Sequence, residues 1–333
     1  MDWFFVLSIL GIAAAIARSG LLFRVGLLLV RRMRRGLFWQ AAALLLTGVV
    51  LSPLLPQNKG RAALTGPLAL AEASRLRDRE PAAAVLGLGA WIGAGPLMFM
   101  FLNGTSLCLL AWGLLPEASR LRFDWIHWLG AAAPLGVFIS IGALASLFLV
   151  LRPGKASAPS RERVDIQLAV LGRPSAREVT MIAVLVLTVA GWIVAPALGV
   201  DVGTVAVLGL LGAVVTGNFD RRSFQELDWN YLIFYGVALS IARLVVSLGL
   251  DRVVADAVGA ALADIGVTPL LFVLGVACLS ILVQLVVPKN QGVLLLSLAL
   301  VPVAPTLGIE PWVVVVTVLA TASMWFLPTQ TTR

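Results

Sequence analysis

One histidine, two cysteines and two tyrosines are found in 333 residues, and only 13% of the side chains are charged. Each shortage excludes something. Cys108 and Cys278 both lie inside apolar runs, so neither a disulfide framework nor a metal site is expected of them. The single His127 sits in Asp124-Trp125-Ile126-His127-Trp128, a pattern of an interfacial aromatic belt more than of a catalytic histidine. No phosphate loop, no pair of catalytic carboxylates and no nucleophile with its base is present, so no enzyme activity is expected. With 60% hydrophobic residues and a mean hydropathy of +0.98, the chain has too little polar surface for a soluble globule. Alternating ten-residue strands, the mark of a membrane barrel, are missing as well.

What is there is a succession of apolar runs of roughly 15–25 residues, each long enough to cross or enter a bilayer. The net charge of +8 is carried largely by loops between these runs. That is the distribution of cytoplasmic loops rather than of a nucleic-acid footprint. An all-α polytopic protein of the cell (inner) membrane follows, its partners lipid and a small solute, with no nucleic acid. Met1-Asp2-Trp3 lacks a basic start, so no cleavable signal peptide is expected.

Polar knots break the apolar pattern. Pro56-Gln57-Asn58-Lys59-Gly60 returns near the other end as Pro288-Lys289-Asn290-Gln291-Gly292. Pro removes a backbone donor and Gly loosens a helix, so the freed polar groups need partners other than lipid. Other landmarks recur in the same order. Asp2-Trp3-Phe4-Phe5 matches Asp228-Trp229-Asn230-Tyr231, Ile16-Ala17-Arg18 matches Ile241-Ala242-Arg243, and Phe101-Leu102-Asn103-Gly104-Thr105 matches Phe326-Leu327-Pro328-Thr329-Gln330-Thr331.

These matches predict two inverted-topology repeats with re-entrant hairpins and broken helices. The first repeat covers 1–151: a helix running from Trp3 past Arg18 to Val30, a hairpin at 37–73, a broken helix at 82–115 that parts at Asn103–Ser106, and a helix at 128–151. A basic, solvated, cytoplasmic linker occupies 152–178. The second repeat covers 179–333: helices at 179–198, 202–215 and 229–246, a hairpin at 270–307 and a broken helix at 311–333. Arginines flank the first hairpin (Arg31, Arg32, Arg34, Arg35; Arg75, Arg77, Arg79), while mostly acids flank the second (Asp251, Asp256, Asp264, Glu310). By the positive-inside rule the first opens inward and the second outward. A complete two-fold unit would extend beyond both ends of the chain, so a fragment, a truncated product or a reduced variant is expected.

With these residues the chain resembles the divalent anion/sodium symporter family of citrate, dicarboxylate and sulfate carriers, within the wider ion transporter superfamily. Members carry Ser-Asn-Thr at each hairpin tip, binding substrate carboxylate and helping to hold Na⁺. The triplets here are Gln57-Asn58-Lys59 and Lys289-Asn290-Gln291, so the central Asn is kept. The family's Gly-Thr-Pro-Pro is similar to Gly104-Thr105-Ser106-Leu107 and Gln330-Thr331-Thr332-Arg333, where the Thr survives and the prolines do not. The resemblance implies a homodimer, no organic cofactor, and secondary transport of a small anion by alternating access.

An anion at the bilayer midplane needs donors. Asn58 and Asn290 offer amides, Thr105 and Thr331 hydroxyls, and half-helices starting after Gly60 and Gly292 offer free N–H groups. The other reading is that these groups only satisfy unwound backbone. Lys59 and Lys289, with Gln57, Gln291, Gly104 and Gln330 around them, mark the charge and ion site. Each ammonium would stand in for a sodium ion, allow proton coupling, or bond the substrate directly; the plain alternative is that both snorkel to the rim. Arg61 is expected to be solvated. Arg18 and Arg243 are expected to pair with carbonyls or lipid headgroups, and Trp3-Phe4-Phe5, Trp125–Trp128 and Trp229–Tyr231 to anchor at interfaces. Competing readings are a cation/proton antiporter or arsenite-type permease of the same superfamily, and a non-transporting remnant.

Overall fold

The computed structural model describes residues 2–32, 36–55, 61, 65–66, 69, 80–153, 162–264 and 266–322. Among them every regular element is helical and none is a strand. Among the described residues five helical stretches are long and apolar enough to cross a bilayer: Glu80–Met100, Trp125–Leu151, Ala176–Val194, Trp229–Ser247 and Pro269–Val286. A bent pair adds a sixth. The protein is an all-α polytopic membrane protein. It divides by packing into two compact units, residues 1–105 with 133–228, and residues 106–132 with 229–333. These units cut across the repeat boundaries at 151 and 179, which describe sequence likeness rather than packing.

In the first unit the bent pair is α1 (Asp2–Ser19) and α2 (Leu21–Arg32). The sequence predicts one continuous helix here, but the axis turns by 72°. Gly20 takes φ +84, and Ser19 Oγ accepts from Leu21 N–H while donating to Ile16 O. A left-handed glycine after a serine that bonds its own backbone ends a helix. Arg18 then reaches Asp220 Oδ1 at 2.9 Å and Ser223 Oγ at 3.1 Å. Its protein partners are thus an acid and a hydroxyl rather than backbone carbonyls. The Ser223 N–H and hydroxyl, then Arg18, hold the Asp220 carboxyl below the usual aspartate range.

Next come α3 (Leu37–Leu51) and α4 (Glu80–Ala94), which pack along their length. Small residues let the backbones touch. A Cβ on Gly93 would lie 2.1 Å from Leu45 O, one on Gly48 2.3 Å from the carbonyl carbon of Gly93, and one on Gly89 3.1 Å from Ala41 O. Without a hydrophobic drive between helices in lipid, such close approach is what joins them. The predicted partner arm of the first hairpin falls mostly outside the described residues.

The long apolar helix α7 (Trp125–Leu151) leads to Glu162–Leu171, which is α8, inside the stretch expected to be a plain linker. The helix forms because Leu168 and Leu171 pack on the cluster around Leu27, Leu44 and Leu86. Then α9 runs Ala176–Val194, opened by a reciprocal capping box between Ser175 and Glu178, and α10 runs Val202–Val215 behind an Asp201 cap. Arg24 of α2 binds Glu178 through both carboxylate oxygens (2.8 and 3.2 Å) and donates to Gly172 O (2.9 Å). One guanidinium thus ties the start of α9 to the end of α8. A short helix, α11 (Arg221–Gln225), closes the unit.

The second unit holds α5 (Ser106–Gly113), α6 (Glu117–Arg122), α12 (Trp229–Ser247), α13 (Leu250–Asp264), α14 (Pro269–Val286), α15 (Lys289–Leu300) and α16 (Pro311–Ala322). α16 packs on α14 and α15, and α5 on α15 and α16. Trp128, expected at an interface, is fully buried, edge-on to Trp312 at 5.8 Å, and Phe123 stacks on the same indole at 4.7 Å. Tyr231 is likewise buried, its hydroxyl bonded to Ser106 O. The apolar bodies of these rings fill a core rather than mark a boundary. His127 is exposed and hydrogen-bonded to Asp124.

Candidate functional site

Each unit contains an interrupted helix, and the sequence-predicted residues that fall among the described ones, Gly104, Thr105, Lys289, Asn290 and Gln291, lie at or next to the interruptions. In the first unit α4 ends at Ala94, nine residues before the predicted break at Asn103. Gly95-Pro96 causes this: Pro96 has no N–H to continue the ladder, and a single 3₁₀ turn, Pro96–Met100, follows. From there the chain advances in three-residue turns, Met98 N–H to Gly95 O, Phe101 N–H to Met98 O and Gly104 N–H to Phe101 O. The helix resumes at Ser106. Gly104 is required for this path, since a Cβ there would be 2.1 Å from Met98 O and 3.1 Å from Phe101 O.

Thr105 and Asn103 are both buried at 4% exposure. Asn103 Nδ2 donates to Pro53 O at 2.9 Å, binding this break to the turn after α3. Arg61 corrects the expectation of a solvated side chain: it is 0% exposed. Its Nε donates to Ala94 O (2.9 Å), its Nη1 to Gly104 O (2.6 Å) and to Leu55 O, and Nη2 lies 3.5 Å from Met98 Sδ. Carbonyls that an unbroken helix would have bonded internally converge here, and five guanidinium donors suit them better than water does.

In the second unit the tip is two residues of extended backbone, Val287 (φ −96, ψ 135) and Pro288 (φ −57, ψ 147). α15 begins at Lys289, not after Gly292 as the sequence suggested. Gly292 is helical, its N–H bonded to Pro288 O at 2.9 Å. A Cβ there would meet Gln284 Cγ at 3.4 Å, an ordinary contact, so packing does not demand a glycine. Lys289 and Asn290 are therefore half-buried in the first turn, with Gln291 exposed. The first-turn N–H groups have no partner within their own helix, and the positive end of its dipole lies there.

Beside this turn stand polar groups not predicted as site residues. Ser280 Oγ lies 2.7 Å from both Gln284 Nε2 and Thr321 Oγ1, joining α14 to α16. The Ser280–Gln284 spacing puts both on one face of an apolar run, a readable signal. Asn58, Lys59, Gln57, Thr331 and Gln330 lie outside the described residues. Among the described residues no three His, Cys, Asp or Glu side chains converge. The oxygen donors on offer at both breaks are backbone carbonyls, hydroxyls and amides.

The family of the sodium:sulfate symporter transmembrane region matches residues 1–332. The chain belongs to this family. Among curated relatives, it is 25% identical over 248 residues to the inner membrane protein YbhI of Escherichia coli, covering 72% of this chain and 52% of that protein. It is 26% identical over 253 residues to the chloroplastic dicarboxylate transporter 1 of Arabidopsis thaliana, covering 72% and 44%. It is 23% identical over 263 residues to the putative malate transporter YflS of Bacillus subtilis, covering 74% and 54%. The chain spans about half the length of the curated relatives it matches. Sodium:sulfate symporters and these relatives are membrane proteins, named as carriers rather than enzymes where a role is named.

Proposed function

We propose that this chain belongs to a secondary carrier for a small dicarboxylate or similar divalent anion, working by alternating access. One observation carries the reading: in each unit an apolar helix is interrupted at a proline with polar residues close by in sequence, in a chain whose named relatives include dicarboxylate and malate transporters. Interrupted helices place dipole ends and free backbone groups where a dehydrated anion can be bound. In the second unit the Asn290 amide, the first-turn N–H groups of α15 and the Lys289 ammonium would hold one carboxylate. Thr105 in the first unit would offer a hydroxyl, and Asn58 and Thr331 are assigned the matching roles by the sequence repeat. Lys59, Gln57, Gln291, Gly104 and Gln330 are assigned to the surrounding charge and ion site on the same ground.

Element order supports the inverted repeat. α1–Gly20–α2 and α12–Gly249–α13 are each a long helix, a positive-φ glycine and a shorter helix. The proposal includes an inner-membrane location, a cytoplasmic 152–178 segment, a homodimer, and coupling to Na⁺ or H⁺. The test is uptake of labelled malate, citrate and sulfate into proteoliposomes with Na⁺ present or replaced by choline. Uptake of a dicarboxylate is expected, reduced roughly tenfold or more in Asn290→Ala and in Thr105→Val by loss of a hydrogen bond to a charged ligand. Folded wild-type protein that takes up none of the three anions would end this reading.

A further inference from the structure

We infer that the Arg61 guanidinium is a built-in cation, occupying a backbone-carbonyl site in the first unit that would otherwise take a sodium or similar monovalent ion. Its surroundings are the donor set of such an ion. Leu55 O comes from the turn after α3, Ala94 O from the end of α4, and Gly104 O from the unwound segment. Carbonyls of unwound membrane helices bind Na⁺ and K⁺ by replacing their water. Here the convergence is held independently of Arg61, by the Asn103–Pro53 bond and by the methyl-free approach of Gly104 to Met98. The side chain that fills it is fully buried, and every hydrogen bond given above runs to an uncharged acceptor. An arginine keeps its charge in such a place, whereas a lysine sheds its own more readily.

Two consequences follow. A diffusible cation cannot enter this site while the guanidinium is there, so the first half contributes no ion-coupling step. The second tip lacks the feature, since the residue after Gly292 is Val293, an apolar core residue. Ion dependence would then belong to the second half alone. The inference rests on the carrier reading only for these consequences, and its test reads cation binding directly.

Thermal unfolding of the detergent-purified chain would be followed in NaCl and in choline chloride at equal ionic strength, for wild type, Arg61→Lys and Arg61→Ala. Emptying the site should create a Na⁺ response: Tm of Arg61→Ala rises by about 3 °C or more in NaCl beyond any rise in wild type, and Arg61→Lys tracks wild type. An Arg61→Ala protein that folds and shows the wild-type response overturns the inference. Should Arg61→Ala yield no folded protein, Arg61→Lys and Arg61→Gln decide. Folded protein from Lys but not from Gln supports a requirement for charge, and any other ordering overturns it. Absence of anion uptake by wild type would end the carrier reading and leave this result standing.

Discussion

At position 93 a single methyl group decides whether two helices can meet. Leu45 O would lie 2.1 Å from it, and the three nearest atoms are all Leu45 backbone, which cannot rotate away. Gly87, on the same helix, has nothing within 4 Å of its Cβ position. Gly93→Ala should therefore cost about 1–3 kcal/mol of stability through overpacking. Gly87→Ala should be neutral or gain about 0.5–1 kcal/mol from helix propensity. Paired Tm values of the two variants check this, and equal values would refute the close-packing account. Residues differ in how openly they announce such roles. Asn103-Gly104-Thr105 stands out because polar side chains interrupt an apolar run. Arg61 does not, because a charge beside a polar knot is ordinarily wet, and no local pattern shows carbonyls from three separate segments converging on it.

Among the elements, helix existence was far more legible than helix ends. Apolar runs showed where spans lie, but α1 and α2 part at Gly20, and α4 stops at Gly95-Pro96 although its apolar run continues to Leu102. Hydropathy does not register a lost N–H, whereas the backbone does. α15 starts at Lys289 because a helix can follow directly on a proline cap, so Gly292 lies within the helix and does not mark unwinding. The Ser175–Glu178 box was readable at the start of α9, while its partner Arg24 lies about 150 residues earlier and required the fold. This Arg24–Glu178 pair is buried, at 12% and 5% side-chain exposure. Arg24→Ala or Glu178→Ala alone should cost about 2–3 kcal/mol by stranding a charged partner. The double variant should cost clearly less than the sum, as a Tm double-mutant cycle would reveal. Additive losses would mean that the pair is not coupled.

For the molecule as a whole, composition alone fixed the solvent in which it folds. The second tip was legible as a break, while the first lies outside the described segments, as do five of the ten site residues named from sequence. The proposed membrane sidedness rests on charge: arginines around the first expected hairpin, acids around the second. In a background with Cys108→Ala and Cys278→Ala, Arg173→Cys should react with an impermeant thiol reagent only from the cytoplasmic side. Asp264→Cys should react only from the opposite side. Labelling of both from one side would refute the inverted arrangement of the two hairpins.

The ring cluster at Trp312 has an optical consequence. Two indoles 5.8 Å apart at 82°, with a phenyl ring stacked on one of them, are held in a fixed mutual orientation. Electronic transitions of rings so placed mix, and the resulting near-ultraviolet dichroism exists only while the cluster is packed. All three rings belong to the second unit. Its packing therefore adds a near-ultraviolet contribution to that of the aromatic pairs in the first unit, such as Phe38–Trp39, and replacing Trp312 would subtract it in an otherwise native chain without any added dye.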